Sequence, residues 1–541
     1  MESGISSSVG WKMILLGQFV AVFAALGLSG PGRIDIDDGQ LRFEVARNVV
    51  EHGEPTIDDP GLNFTVLPGR DGERFTMCRF PHSLMGVGAI LVSDATGPVR
   101  EGRRHFYFSL LGALAGAALA TTYAVWFRRL GYRPLSSLFW SSAGVFCTPS
   151  WYYATSTFDD IFGTATIVLA VAIAFMARRR HPLSGAAWAG ILIGLAFNWK
   201  QPLGLYVMPV LAALYDPRVP LRRQAARAVV ALLGVAAGVA VYLLYEWYKF
   251  PPETRAAHAP ILDRWKPTWI SNPLPALLGL TLSLGAGFVW YCPTLLLSFR
   301  GLAAWYRRER VFCLGVIAAS LGFFGFICAL APFKGDQTWG PRYLTPVFAL
   351  LWIFVPAAAA LIRRRFVAIV LVAGLCVQLL GLSVDPHRLY LQRNLWSRFY
   401  VVQPWLYFHP AVGHLFNRPR EIIEILAAAP HPDAPFTPAR APTYCLPFLE
   451  RTPGGPAAIR RYRILNSFRP WWASQKYLPP AARPVDLWAT VQFFSAILAG
   501  GVVLMMGGLW IGRRQAEASD VSGQLARTPA RQVELAGNHL P

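Results

Sequence analysis

Residues Pro31–Gly53 read PGRIDIDDGQLRFEVARNVVEHG and follow directly on the apolar run Met13–Leu28. Asp35, Asp37 and Asp38 therefore stand where a membrane-length segment has just ended. Behind them Leu41, Val45, Ala46, Val49 and Val50 recur at helical spacing on one side, and Gln40, Glu44, Arg47, Asn48 and Glu51 fall on the other. Gly53 is placed to end the helix. The stripe predicts a short interfacial helix lying along a membrane surface. An acidic cluster held at a bilayer edge suits chemistry on a substrate that is itself anchored in lipid.

The rest of the chain agrees with a membrane setting. It has 541 residues, 54% of them hydrophobic and only 15% charged. The apolar residues come in blocks such as Ile167–Ala177, Val229–Leu244, Val311–Ala331 and Phe366–Leu382, too long for a soluble core. With roughly 17–25 residues per span, about twelve spans are expected. They centre near residues 20, 115, 143, 168, 191, 208, 235, 290, 320, 352, 375 and 500. The expectation is an all-α polytopic membrane protein. Its transmembrane domain covers 1–384, with an external loop over 31–104 holding interfacial helices. An external cap rich in proline and aromatic residues follows over 385–486, then a last span at 487–512 and a disordered polar tail over 513–541.

The net charge of +21 does not indicate a nucleic-acid partner, because the basic residues gather in short clusters between spans. The clusters are Arg128, Arg129 and Arg133; Arg178 to Arg180; Arg218, Arg222, Arg223 and Arg227; Arg300, Arg307, Arg308 and Arg310; Arg363 to Arg365; and Arg513 with Arg514. Each is separated from the next by two expected spans, so all fall on one face. The positive-inside rule makes that face cytoplasmic and places both termini there. In a bacterium this is the inner membrane, with the acidic loop outside. Met13–Leu28 is long for a signal-peptide core and Ser29-Gly30-Pro31 is a poor cleavage site, so it reads as an uncleaved span. Of seven cysteines only Cys78 and Cys445 fall in external segments, where a disulfide between them is possible but not required.

The candidate catalytic groups lie on the external face. Asp38 has Asp37 beside it, and the bland reading is a helix N-cap. Asp159 and Asp160 open the span that runs to Ala177, where acids also favour a helix N-terminus through its dipole. Ionisable groups at membrane depth are costly and usually serve a function. By parity the four carboxylates share one face and can converge. External cations follow: Arg79 in Met77–Leu84; Lys200 between two spans; Lys334, Arg342 and Tyr343 in Phe333–Pro346. Snorkelling to the interface would account for any one of them. Few cations are expected on this face, however, and Arg or Lys there suits the phosphate of a lipid carrier. The chemistry predicted is a single displacement with inversion. A carboxylate takes the acceptor's proton, the acceptor attacks the anomeric carbon, and cations stabilise the departing lipid phosphate. A phosphate leaves readily, so no second acid is needed, unlike in a glycosidase.

Five segments between roughly residues 10 and 410 resemble the GT-C superfamily of glycosyltransferases that use polyprenyl-phosphate sugars. Within it the similarity is to the protein O-mannosyltransferase and lipid A aminoarabinose transferase group. Asp38-Gly39 with Ala46–Val50 and Gly53 resembles the first-loop motif that carries the family's base, Asp38 fitting the register best and Asp37 being the alternative. Arg70–Phe75 leading to Arg79-Phe80-Pro81 resembles the stretch before the second span, where the family usually has a lysine for the lipid phosphate and this chain has Arg79. Asp159 or Asp160 matches the second acidic position. Gly285 through Trp290-Tyr291-Cys292-Pro293 resembles the entry to a later span, and Gly340–Pro346 resembles the Pro-Arg-Tyr-Leu-x-Pro signature. The resemblance implies a lipid-phosphate sugar donor and a glycolipid, polysaccharide or protein acceptor. Some members use a divalent metal and others do not, so a metal is possible here. The competing class is a transporter or flippase of lipid-linked sugars, which would place charge or broken helices near the bilayer midplane.

Overall fold

An apolar segment with no charge in its middle satisfies its backbone inside a bilayer as an α-helix, and helices dominate the computed structural model of this chain. It describes residues 9–58, 65–253, 273–330, 334–335, 338–392, 407–427, 467–475 and 483–536. The first eleven helices are α1 (Val9–Ser29), α2 (Asp37–His52), α3 (Phe80–Ala95), α4 (Glu101–Ser109), α5 (Leu111–Arg129), α6 (Pro134–Phe146), α7 (Ser150–Ala154), α8 (Asp160–Ala177), α9 (Pro182–Trp199), α10 (Val207–Leu214) and α11 (Leu221–Lys249). The protein is an all-α polytopic membrane protein. Among the described residues, seven helices are long and apolar enough to cross a bilayer: α1, α4–α5 as Glu101–Arg129, α8, α11, Arg310–Cys328, Arg364–Ser383 and Leu487–Gln515.

The other five expected centres fall on shorter or interrupted helices. α6 has 13 residues, and α10 follows a 3-10 turn over Gln201–Tyr206. α9, with 18 residues, is not among the seven. The centre near 290 divides into Pro273–Leu282, Phe288–Tyr291 and Leu295–Tyr306, and the centre near 352 into Thr345–Trp352 and Val355–Ala359. Pro202, Pro293 and Pro356 stand at these breaks, each withdrawing a backbone donor from the helix. The charged residues of the seven spans lie toward their ends.

α5 packs between α1, α6 and α8, while α9 lies against α8 and α11; α1 is closed on its outer side by the final helix. Tyr123, Trp126, Tyr153, Phe162, Trp339 and Trp352 fill one continuous core. The final helix runs unbroken over Leu487–Ala536. It is described as far as Ala536, within the segment expected as a polar tail. Of the expected cap, only 385–392, 407–427, 467–475 and 483–486 lie among the described residues, and Cys445 is outside them.

The first loop holds the expected helices, α2 and α3, and between them a two-stranded antiparallel hairpin, Val66–Pro68 with Arg74–Thr76. α2 ends as anticipated: Gly53 takes φ 78° and its N–H reaches the Val49 carbonyl. α2 is packed against the rest of the protein on more than one side. Leu41, Phe43, Val45, Ala46 and Asn48 are all at most 1% exposed. Phe43 meets the edge of Phe108 at 5.7 Å, and Asn48 donates to the Thr56 carbonyl at 3.0 Å. Its apolar residues extend past the single stripe, with Phe43 on a second side.

Candidate active site

The site is assembled by a clasp in the extended segment after α1. Asp35 is buried and accepts from the Thr157 amide at 2.9 Å, the Thr157 hydroxyl at 2.7 Å and the Ser156 hydroxyl at 2.9 Å. Arg469, from far along the chain, donates to the same carboxylate at 2.9 Å. These bonds fix the start of α2 beside the turn that begins α8. Gly39 permits the contact, since a Cβ there would stand 2.4 Å from the Thr157 Oγ1.

Around this junction three carboxylates and three cations come together from four stretches of chain. Arg42 donates to Asp159 Oδ2 at 3.0 Å and stands 3.6 Å from Asp38 Oδ2. Arg342 donates to Asp160 at 2.8 Å and lies 4.0 Å from Asp38 Oδ2. Lys200 pairs with Asp160 and stands 3.2 Å from Asp159 Oδ1, in a geometry that falls short of a hydrogen bond. The aromatic walls are Phe158, whose ring lies 3.8 Å under the Arg342 guanidinium, and Tyr343, 4.9 Å from Lys200.

Capping does not explain these carboxylates. The N-cap of α2 is Ile36, and Asp159 at the N-cap of α8 makes no side-chain cap bond. Burial would push the Asp159 carboxyl up, but Arg42, Lys200 and Arg342 outweigh it and hold the group well below the usual carboxylate range. Burial likewise opposes the Arg42 charge, yet Asp159, ahead of Cys78 and Asp38, keeps that guanidinium firmly protonated. Among the described residues the formal charges of the three carboxylates and three cations balance.

The three carboxylates differ in access. Asp159 and Asp160 side chains are 4% and 2% exposed, whereas Asp38 is 24% exposed. Asp38 is therefore the carboxylate open to an incoming group. Among the described residues, Arg42 Nε and Nη1 have no hydrogen-bond partner although they are buried.

The remaining expected residues are Asp37, Arg79 and Lys334. The Asp37 side chain lies outside the described residues. Arg79 pairs with Glu246 at 3.0 Å and lies over the Tyr242 ring at 4.7 Å, in a neighbouring group that includes Lys249. Lys334 is buried, 5.7 Å from the Tyr407 ring. It precedes Gly335, whose backbone sits against Arg342 and Tyr343. Arg42 is the residue that sequence reasoning overlooked. Its signal was present as an Asp38–Arg42 pair spaced i,i+4 on one helix.

Among the described residues the donor set does not fit a divalent metal. Among the described residues no group of three or more His, Cys, Asp or Glu is arranged to hold one. The carboxylates here are already matched by cations.

No protein-family model and no curated protein matches the chain. Among solved structures it is similar to ArnT from Cupriavidus metallidurans bound to undecaprenyl phosphate, with 16% identity, a TM-score of 0.45, and coverage of 94% of this chain and 80% of that one. It is also similar to the archaeal oligosaccharyltransferase AglB from Archaeoglobus fulgidus in complex with an inhibitory peptide and a dolichol-phosphate. There the identity is 11% and the TM-score 0.40, over 75% of this chain and 60% of that one.

Proposed function

We propose that this protein is an inverting glycosyltransferase of the GT-C type, which moves a sugar from a polyprenyl-phosphate carrier to an acceptor at the membrane face where Asp38 lies. The observation that carries the reading is Asp38 itself: one accessible carboxylate beside a buried pair of aspartates, with three cations in contact. In this reading Asp38 is the general base. Arg42, Lys200 and Arg342, with Tyr343 beside them, meet the donor phosphate, and Asp159 and Asp160 hold those cations in place. Arg79 and Lys334 stand outside the residues assigned to the phosphate.

The charges follow the reaction. As the acceptor oxygen or nitrogen bonds the anomeric carbon, its proton passes to Asp38 and the bond from carbon to the phosphate oxygen breaks. The leaving phosphate gains one negative charge while Asp38 loses one. Arg42 and Arg342 both touch Asp38, so its protonation frees them to turn toward the phosphate as that charge appears. The acceptor is a glycolipid, a polysaccharide or a protein at the same face.

The test is sugar release from radiolabelled polyprenyl-phosphate sugars by the purified protein with a mixed envelope extract as acceptor. Wild type should turn over, and Asp38→Asn should be slower by about 10²–10⁴-fold with an unchanged melting profile. If no donor is consumed, or Asp38→Asn is as fast as wild type, a transporter of lipid-linked sugars becomes the better reading.

A further inference from the structure

A second gathering of charge lies at the far end of the bundle and takes no part in that chemistry. A cavity of about 700 Å³ opens there between the end of α5, α8, the helix Leu295–Tyr306 with the turn after it, and the helix Val355–Ala359. Phe175 lines it. Since Asp160 begins the same helix, at about 1.5 Å per residue the cavity lies roughly 22 Å from the carboxylates.

Arg300, Arg307 and Arg308 line this cavity together with one carboxylate, Glu309. Glu309 is already engaged by both terminal nitrogens of Arg178, at 2.9 and 2.5 Å. Among the described residues none of the three lining arginines has a side-chain partner. Three exposed arginines without an ion-pair partner therefore line the cavity. Its remaining wall is apolar, including Trp305 and Leu361, and Leu361 is 56% exposed. A space that is cationic at one side and apolar where it meets the outer surface of a membrane bundle matches a phosphate joined to acyl chains. Free phosphate would find the charge but leave the apolar wall unused.

We propose that this cavity is a binding site for an anionic phospholipid, holding its headgroup phosphate on Arg300, Arg307 and Arg308 with the first carbons of its chains along Leu361. The arginines alone would satisfy the positive-inside rule; the cavity and the paired Glu309 are what that rule does not require.

The experiment is native mass spectrometry of the full-length protein, released from detergent with either phosphatidylglycerol or phosphatidylcholine and scored for retained lipid. Wild type should keep one phosphatidylglycerol in preference to phosphatidylcholine. The triple variant Arg300→Gln/Arg307→Gln/Arg308→Gln should retain it about a hundredfold less strongly. Arg222→Gln/Arg223→Gln, which removes exposed arginines outside the cavity, should behave as wild type. Ala360→Trp keeps every charge but fills the cavity that Ala360 lines, and should lose the lipid as well. Equal retention of the two lipids by wild type would overturn the proposal. So would retention by Ala360→Trp, which would mean that surface charge alone attracts lipid, or displacement of the phosphatidylglycerol by millimolar inorganic phosphate. Melting profiles of all variants exclude loss through unfolding.

Discussion

Arg42 and His82 show how single side chains report on the site. Arg42 is buried, touches two carboxylates and keeps two donors free, so charge and fork geometry can be separated by substitution. Arg42→Lys preserves the charge but not the planar fork. Turnover should fall about 10–100-fold with little loss of stability, read as kcat/KM on the lipid-phosphate donor. Arg42→Met leaves Asp159 with one partner fewer and should cost about 3–5 kcal/mol of stability. A lysine variant as active as wild type would reduce Arg42 to a counterion. His82 lies against Phe108 and Phe162, and its Nδ1 is buried with no hydrogen-bond partner among the described residues. Burial, helped by the Arg42 charge, pushes its pKa down to about 3. The unfolded chain takes up that proton near the ordinary 6.5 while the folded one does not, so stability falls as the pH drops from 6.5 toward 3. His82→Phe should flatten this acid limb, seen as a smaller difference in Tm between pH 7 and pH 4.5. An unchanged difference would assign the limb to other groups. At this scale Asp38, Asp159, Asp160, Lys200 and Arg342 were legible because ionisable residues at span ends stand out against apolar surroundings. The part played by Asp35 was not, since a clasp to Ser156 and Thr157 joins positions more than a hundred residues apart and leaves no periodic trace.

Of about twelve expected spans, those near 208, 290 and 352 are divided into shorter helical pieces. Hydropathy measures how apolar a segment is, and Pro202, Pro293 and Pro356 interrupt the ladder without lowering that average much. The second packed side of α2 left little trace for a related reason: Phe43, which is buried there, lies off the main stripe. Packing between elements is set by residues too small for a hydrophobicity pattern to register. α1 and the final helix meet at Gly17 and Gly501, where a Cβ on Gly17 would stand 2.5 Å from the Gly501 carbonyl oxygen. Close approach of this kind is how helices gain contact in a bilayer, where no hydrophobic force draws them together. Gly17→Leu should therefore force the pair apart, lowering Tm and opening the final helix to limited proteolysis. Gly500→Leu is the matched control, because a Cβ at Gly500 meets nothing within 4 Å. If both variants melt alike, the contact at Gly17 contributes nothing particular.

Across the whole molecule, charge is divided between two ends. Asp38, Asp159, Asp160, Arg42, Lys200 and Arg342 compensate one another at the end where α8 begins. Where α8 finishes, Arg178 pairs with Glu309, Arg179 stands 3.8 Å from Asp216, and Arg300, Arg307 and Arg308 remain unmatched. This polarity was the most readable property of the chain, because the spacing of basic clusters by pairs of spans depends on order alone and survives errors in span boundaries. It also makes a prediction that no single residue carries. If the basic end faces the cytoplasm, then Glu54, exposed just after α2, and Arg133, exposed just before α6, lie on opposite sides of the membrane. In a background with the native cysteines replaced, Glu54→Cys should react with a membrane-impermeant maleimide in right-side-out vesicles and be protected in inverted ones. Arg133→Cys should show the reverse. Labelling of both from the same side would break the alternation of basic clusters from which the orientation is read. Labelling of Glu54→Cys from the cytoplasmic side only would turn the Asp38 site inward, and the acceptor would then have to be sought on that face.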